Sequence, residues 1–300
     1  MRALVISGGG SKGAFAGGVA QYLLEEKKKK YDIFIGTSTG SLMVTHLALG
    51  KVAELKDIYS NVNQQTIFSN CPFKIKNDKG FKTVSINHFN TISSFFRGRK
   101  TFGESLNLRK MIETNIKDAY LDAIKASDKK VIVTVSNLTL NTGEYKCLSE
   151  CENDDFRDWI WASSNYIPFM SLMVKDHYEY ADGGFANMVP IEEAIKRGAT
   201  EIDAIILETE ITQLNRMPSK NPFSLIINLF DFLKDTIEDH NIAFGKLSAK
   251  HKDIKLNLYY TPIVLTTNSL VFEKEKMEKW WNDGFAHAKR KEEQKNAIKV

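Results

Sequence analysis

The sequence predicts an α/β fold, a three-layer α/β/α sandwich on a mostly parallel central sheet, and three observations carry that expectation. The first 50 residues alternate short apolar runs with helix-spaced apolar residues, β-α-β-α from residue 2 onward. Crossovers of this length join parallel strands, and their helices cover both faces of the sheet. Two glycine-bearing turns, GGGSKG (8–13) and GTSTG (36–40), each follow a strand-like run and open a helix-like one. Finally, 300 residues that are 43% hydrophobic, with no internal repeat and no long Pro/Gly/Ser linker, can bury one sizeable core. A single domain over 1–300 is expected, with the chemistry-bearing motifs in 1–210 and a mainly helical part over about 211–300.

The elements follow in order. RALVIS (2–7) is a buried-type strand, and GAFAGGVAQYLLEE (13–26) carries apolar residues at helical spacing until a lysine run ends it. YDIFIG (31–36) supplies a second strand and SLMVTHLALG (41–50) a second helix, closed by Gly50. From 52 to about 125 the pattern is mostly helical, broken by a Phe- and Lys-rich stretch over 73–105 that reads as irregular. KVIVTVSN (130–137) and GEYKCLS (143–149) read as strands, DDFRDWIWASS (154–164) as a helix, and SLMV (171–174) with HYEYAD (177–182) as a hairpin. A helix at 190–197 and the strand IDAIILE (202–208) precede long helices at about 222–247 and 271–295, with the strand KLNLYY (255–260) between them.

Composition narrows the function. The balance of 41 basic and 37 acidic residues gives a net charge of +4, too small for this length to argue for nucleic acid. KKKK at 27–30 reads as a solvated helix end. Three cysteines, Cys71, Cys147 and Cys151, offer no disulfide framework, and a lone Cys-x-x-x-Cys lacks the second ligand pair a zinc site needs. Neither metal nor cofactor is expected, and reduced thiols fit the cytoplasm. The N-terminus has one basic residue and an apolar run too short for a signal peptide, so it reads as a first strand, although leaderless export stays open. No run approaches the roughly 20 apolar residues of a spanning helix. Contact with a membrane would therefore be peripheral.

Gly-x-Ser-x-Gly between a strand and a helix describes a sharp turn that exposes Ser38, a shape suited to a nucleophile. The first turn also satisfies Gly-x-Gly-x-x-Gly, the dinucleotide fingerprint, but that function wants an acid at the end of the second strand. Gly36-Thr37-Ser38 stands there, and Asp32 lies at the strand's beginning. A phosphate loop fails as well, because Ala14 follows Gly13. In a parallel βαβ unit both turns reach the carboxyl edge of the sheet, so the amides of Gly9 and Gly10 could bind the oxyanion formed when Ser38 attacks an ester. The plainer alternative is that these glycines permit tight helix–sheet packing.

Serine needs a base. His46 lies eight residues along the same helix, about 12 Å at 1.5 Å per residue, and His177 lies five residues before Asp182, about 16 Å along a strand. His88, His240, His251 and His287 sit in irregular, charged or connecting segments. Asp182, ending a strand and followed by Gly183 and Gly184, is a credible base. The motif alone leaves open that it is an ordinary Asp-Gly turn.

GGGSKG, GTSTG and DGG, in that order and spacing, resemble the patatin-like phospholipases, lipid acyl hydrolases that use a Ser-Asp dyad without a catalytic histidine. The likeness extends through VTVSNLTLNTGEYK (133–146), WASSNYIPFM (161–170), Asn187 and Pro190, about residues 2–210. The resemblance implies Ser38 as nucleophile, Asp182 as base, and Gly8, Gly9, Gly10 and Gly13 framing an oxyanion hole. Lys12 stands where the family has a basic residue, with Gly36, Gly40, Gly183 and Gly184 supporting the turns. It implies a lipid or membrane-surface substrate, a phospholipid or other acyl ester. An inactive membrane-interaction relative and a dinucleotide-binding module are the alternatives. A free carboxylate, with a pKa of about 3.9, is a weak base, so Asp182 would need burial to raise it. Two stretches are candidates for lipid contact or for covering the site: 221–237, with Phe223, Ile226, Ile227, Phe230 and Leu233 near helical spacing and Leu225, Leu229 and Phe232 beside them, and SFFRGRK (94–100); the plainer reading of 221–237 is a helix that only packs on the core.

Overall fold

The computed structural model describes residues 1–78, 81–211, 219 and 222–297. In chain order the elements are β1 (Arg2–Ile6), α1 (Gly13–Gln21), β2 (Ile33–Thr37), α2 (Thr39–Ala48), α3 (Val52–Asn61), α4 (Gln64–Ile67), β3 (Phe73–Asp78) and β4 (Phe81–Ile86). They continue with α5 (His88–Phe96), α6 (Leu106–Asn115), α7 (Asp118–Lys125), β5 (Lys130–Asn137), β6 (Thr142–Cys147), α8 (Asn153–Ser163), β7 (Met173–Lys175) and β8 (Tyr178–Asp182). The last are α9 (Ile191–Lys196), β9 (Glu201–Ile206), α10 (Pro222–His251), β10 (Lys255–Tyr260) and α11 (Lys274–Ala297).

The main sheet runs β10-β9-β1-β2-β5-β8-β7, with β6 also paired to β5. β10, β9, β1, β2 and β5 are mutually parallel, while β6, β7 and β8 are antiparallel to their neighbours. β1 and β2 are buried along almost their whole length, as strands covered on both faces must be. Two apolar clusters fill the layers on either side. One gathers Leu4, Ile6, Phe15 and Phe34, and the other Ala3, Val5, Ile33 and Ile35, so alternate residues of one strand point to opposite faces.

One pairing detail positions the chemistry. β2 pairs with β5 as far as Thr37 opposite Thr134, and β8 takes over at the next residue, Asp182 opposite Val135. β6 holds the other edge of β5 over the same residues. β8 therefore continues the line where β2 stops, and Asp182 lies against the turn that follows Thr37.

Two expectations are corrected. Much of 73–105 is regular: Phe73–Asp78 and Phe81–Ile86 pair antiparallel as β3 and β4, and α5 covers His88–Phe96. Asparagine, lysine and glycine between short apolar runs masked the alternation. Nor is 27–30 wholly solvated, because Lys29 reaches the buried Asp203, which Tyr31 also binds. A buried carboxylate needs such partners, and sequence spacing cannot show one 174 residues away.

Candidate active site

Ser38 sits between β2 and α2 with φ 54° and ψ −120°, a conformation that costs a non-glycine residue of order 1–3 kcal/mol. The turn survives because its neighbours fix it. The Ser38 amide donates to Ser163 Oγ at 3.0 Å, and its carbonyl accepts from the hydroxyls of Ser41 and Ser164 at 2.6 and 3.2 Å. Gly36 and Gly40 supply close approach: a Cβ on Gly36 would stand 2.3 Å from the Gly40 carbonyl carbon, and one on Gly40 2.3 Å from the Ile6 carbonyl oxygen. The strand-to-helix reversal is thereby pressed onto β1.

Asp182 is 2% exposed, accepts from the Gly184 amide at 2.8 Å and lines one pocket with Ser38. Its own amide donates to Asn165 and its carbonyl accepts from Ser136. Burial pushes its pKa up to about 7, against the opposing effect of Ser38, the Gly184 amide and the Lys234 charge. Gly183 packs under it with no room for a Cβ, 2.2 Å from the Thr134 carbonyl. Thr37 Oγ1 donates to the Asn187 carbonyl at 3.0 Å, tying the chain beyond DGG back to the serine turn.

The glycine turn lies across from the serine, where a Cβ on Gly8 would come within 3.1 Å of Ser38 Cβ. Its four glycines do different things. The Gly8 amide donates to the Met188 carbonyl, and the Gly13 amide to Gly10 and Ser11 at the start of α1. Gly9 and Gly10 line the pocket that contains Ser38 and Asp182, and neither amide has a backbone partner among the described residues. Gly10 has φ +55° and faces the Ser269 carbonyl, which the Ser11 amide also binds. A side chain there would be strained and obstructed.

Lys12 does not line this pocket. It is 3% exposed and paired with Glu208, which also binds Lys234 of α10 at 3.0 Å. Burial raises the Glu208 pKa, but the two lysines outweigh it and hold the carboxyl below the usual range. Burial and the Glu208 charge push Glu238, one helical turn beyond Lys234, above its usual range. The sequence reading missed this cluster, since Glu208 closes an apolar strand and Lys234 lies on an amphipathic helix, with no motif to connect them. Lys234 and Asp231 line the Ser38 pocket, so α10 covers the site. Leu225, Leu229, Phe232 and Leu233 face outward, while Phe230 packs inward on Tyr166 and Phe185. Asn221 and the side chain of Phe223 lie outside the described residues.

No histidine lines this pocket among the described residues. His46 is buried at the end of α2, His177 lies in the turn between β7 and β8, and His287 packs on Phe15. The three cysteines are free, no cluster able to hold a metal occurs among the described residues, and no described helix is long and apolar enough to cross a membrane.

A strained serine turn, a buried carboxylate and a glycine turn thus share one pocket on an α/β sheet. The family model described as Patatin-like phospholipase matches residues 4–195. The chain belongs to the patatin-like phospholipase family, a family of lipid hydrolases. It is similar to the uncharacterized protein YjjU of Escherichia coli (strain K12), 21% identical over 231 residues, covering 72% of this chain and 54% of YjjU. It also resembles the uncharacterized protein L620 of Acanthamoeba polyphaga mimivirus, 25% identical over 276 residues, covering 76% of this chain and 72% of L620. This chain thus spans about half the length of the first relative. Among solved structures, VipD from Legionella pneumophila superposes with a TM-score of 0.52 at 12% identity, over 96% of this chain and 66% of VipD, a likeness of fold.

Proposed function

We propose that the protein hydrolyses carboxylic esters of lipids through an acyl-enzyme on Ser38, with Asp182 as base and the amides of Gly9 and Gly10 as oxyanion donors. The observation that carries this reading is that a buried Asp182, its pKa raised by burial to about 7, lines the same pocket as the strained Ser38 turn. A base with its pKa near the working pH is both substantially ionised and strong enough to accept a proton. Asp182 takes the Ser38 proton as Oγ attacks the ester carbonyl, and negative charge moves onto the carbonyl oxygen. The intermediate collapses, the C–O bond to the leaving alcohol breaks, and Asp182 returns its proton to that alcohol. Water, deprotonated by Asp182, attacks the acyl-enzyme, and the proton passes back to Ser38 as the fatty acid leaves.

A lipid-surface substrate is supported by two outward apolar faces near the pocket. One is the α10 face. The other is α5, which is inverted: Thr91 and Ser94 are buried, whereas Phe89, Ile92, Phe95 and Phe96 are exposed, Phe96 by 89%. Aromatic contacts run from Phe95 through Phe102 and Phe169 to Tyr166, which lines the Ser38 pocket. The deciding experiment is labelling with a serine-reactive fluorophosphonate followed by peptide mapping. Label on Ser38, lost in Ser38→Ala, is expected. Label on another serine refutes the assignment.

A further inference from the structure

The space around Ser38 continues past the nucleophile. A second chamber, almost wholly apolar, shares Gly10, Thr39, Leu42, Ile67 and Phe272 with the Ser38 pocket as a common wall. It is walled by α2, α3 and α6, with Ile58 and Met111 among its half-buried lining. Its lining residues on α2 are Thr39, Leu42 and His46, three and four apart, which is one face of a helix. The chamber therefore runs along the helix whose first turn follows Ser38. His46 stands at the far end, 1% exposed, with the Glu54 carboxylate 3.9 Å from Nε2 and the Tyr120 ring edge-on to it. An apolar chamber beside Ser38, closed by a buried imidazole, is unlike the rest of the core.

We propose that this chamber receives the acyl chain and that His46 sets its length, making esters of medium-chain acids of about ten carbons the preferred substrates. The inference rests on Ser38 being the nucleophile. Ser38 and His46 are eight residues apart, about 12 Å along the axis at 1.5 Å per residue. An extended hydrocarbon advances about 1.25 Å per carbon, given C–C bonds of about 1.5 Å at the tetrahedral angle. About ten carbons then reach from the ester carbonyl to the imidazole. Each methylene that enters the apolar wall raises kcat/KM about fourfold, the equivalent of about 0.8 kcal/mol. Beyond that length the chain's methyl end meets the polar edge of His46, and the gain stops.

The test is a chain-length series of p-nitrophenyl esters, butanoate to tetradecanoate, at monomeric concentrations with the purified full chain. The parent should climb about fourfold per methylene as far as decanoate and then level or fall. Met111→Trp, which fills the wall, should move the optimum to shorter chains. His46→Ala, which removes the floor, should move it about two carbons longer. If His46→Ala does not fold, Met111→Trp still decides, because its position is only half-buried. A profile flat from butanoate upward, or an optimum unmoved in the folded variants, overturns the chamber assignment while leaving Ser38-dependent hydrolysis intact. Absence of Ser38-dependent hydrolysis of every ester overturns the parent reading and this one together.

Discussion

Asp182→Asn should make the protein inactive and more stable at neutral pH. The folded carboxyl has a pKa of about 7, raised by burial from 3.8. In the unfolded chain the group ionises near 3.8, so between 3.8 and 7 the native state holds a proton that the unfolded state has released. A carboxyl with a raised native pKa contributes its stability fully below the unfolded value and loses it as pH rises through the native value. A shift of about three units at 1.36 kcal/mol per unit makes ionised Asp182 a native-state cost of about 4 kcal/mol. Asparagine never ionises, and its Oδ1 can still accept from Gly184, so the variant escapes that cost. Urea unfolding of parent and Asp182→Asn should nearly coincide close to pH 4, with the variant more stable by up to about 4 kcal/mol at pH 8. Turnover of a chromogenic acyl ester should fall by orders of magnitude, because the proton acceptor is gone. In the parent, kcat/KM should rise with pH to a midpoint near 7, set by the fraction of ionised Asp182. A variant no more stable than the parent at pH 8, or a parent profile flat from pH 5 to 8, would refute the burial argument.

Other tests address separate features. Ser38→Ala and Ser38→Gly should both be inactive, but the glycine variant should be more stable by about 1 kcal/mol in denaturant titration, because φ 54°, ψ −120° strains any residue with a Cβ. Lys12→Met should cost about 3 kcal/mol by removing a buried partner of Glu208, and Glu208→Gln in the same chain should restore part of it. Equal stability of parent and Lys12→Met would show that Lys234 alone suffices. Phe96→Asp and Phe232→Asp, both at exposed positions, should keep the fold and lower co-sedimentation with anionic phosphatidylglycerol vesicles. Unchanged sedimentation in both would remove the lipid-contact role of α5 and α10. Replacing His240, His251 or His287 singly should leave ester turnover within a few-fold of the parent, and a folded but inactive variant among them would call for a triad.

The sequence by itself determined what local rules encode. Alternating apolar periods marked most of the strands and helices, because burial on one or two faces writes its period directly into the chain. The turn of Gly36, Ser38 and Gly40 was legible because a sharp strand-to-helix reversal tolerates few residue types, a restriction visible in a five-residue window, whereas Asp182 and Gly183 stood out only through the family resemblance, since the motif alone also fits an ordinary turn. Reach along regular elements set aside only His46 and His177, and the other four histidines were judged by the irregular, charged or connecting segments they sit in. Tertiary structure decided what depends on residues distant in sequence. The register that sets Thr37 and Asp182 against consecutive residues of β5 follows from β8 entering the line of β2, which no spacing announces. The same holds for Lys29 with Asp203, for Lys12 and Lys234 with Glu208, and for which glycine amides face the pocket rather than Met188 or α1. The pKa of Asp182 is tertiary too, since desolvation arises from the whole shell of side chains packed around a carboxyl and has no signature in its neighbours along the chain.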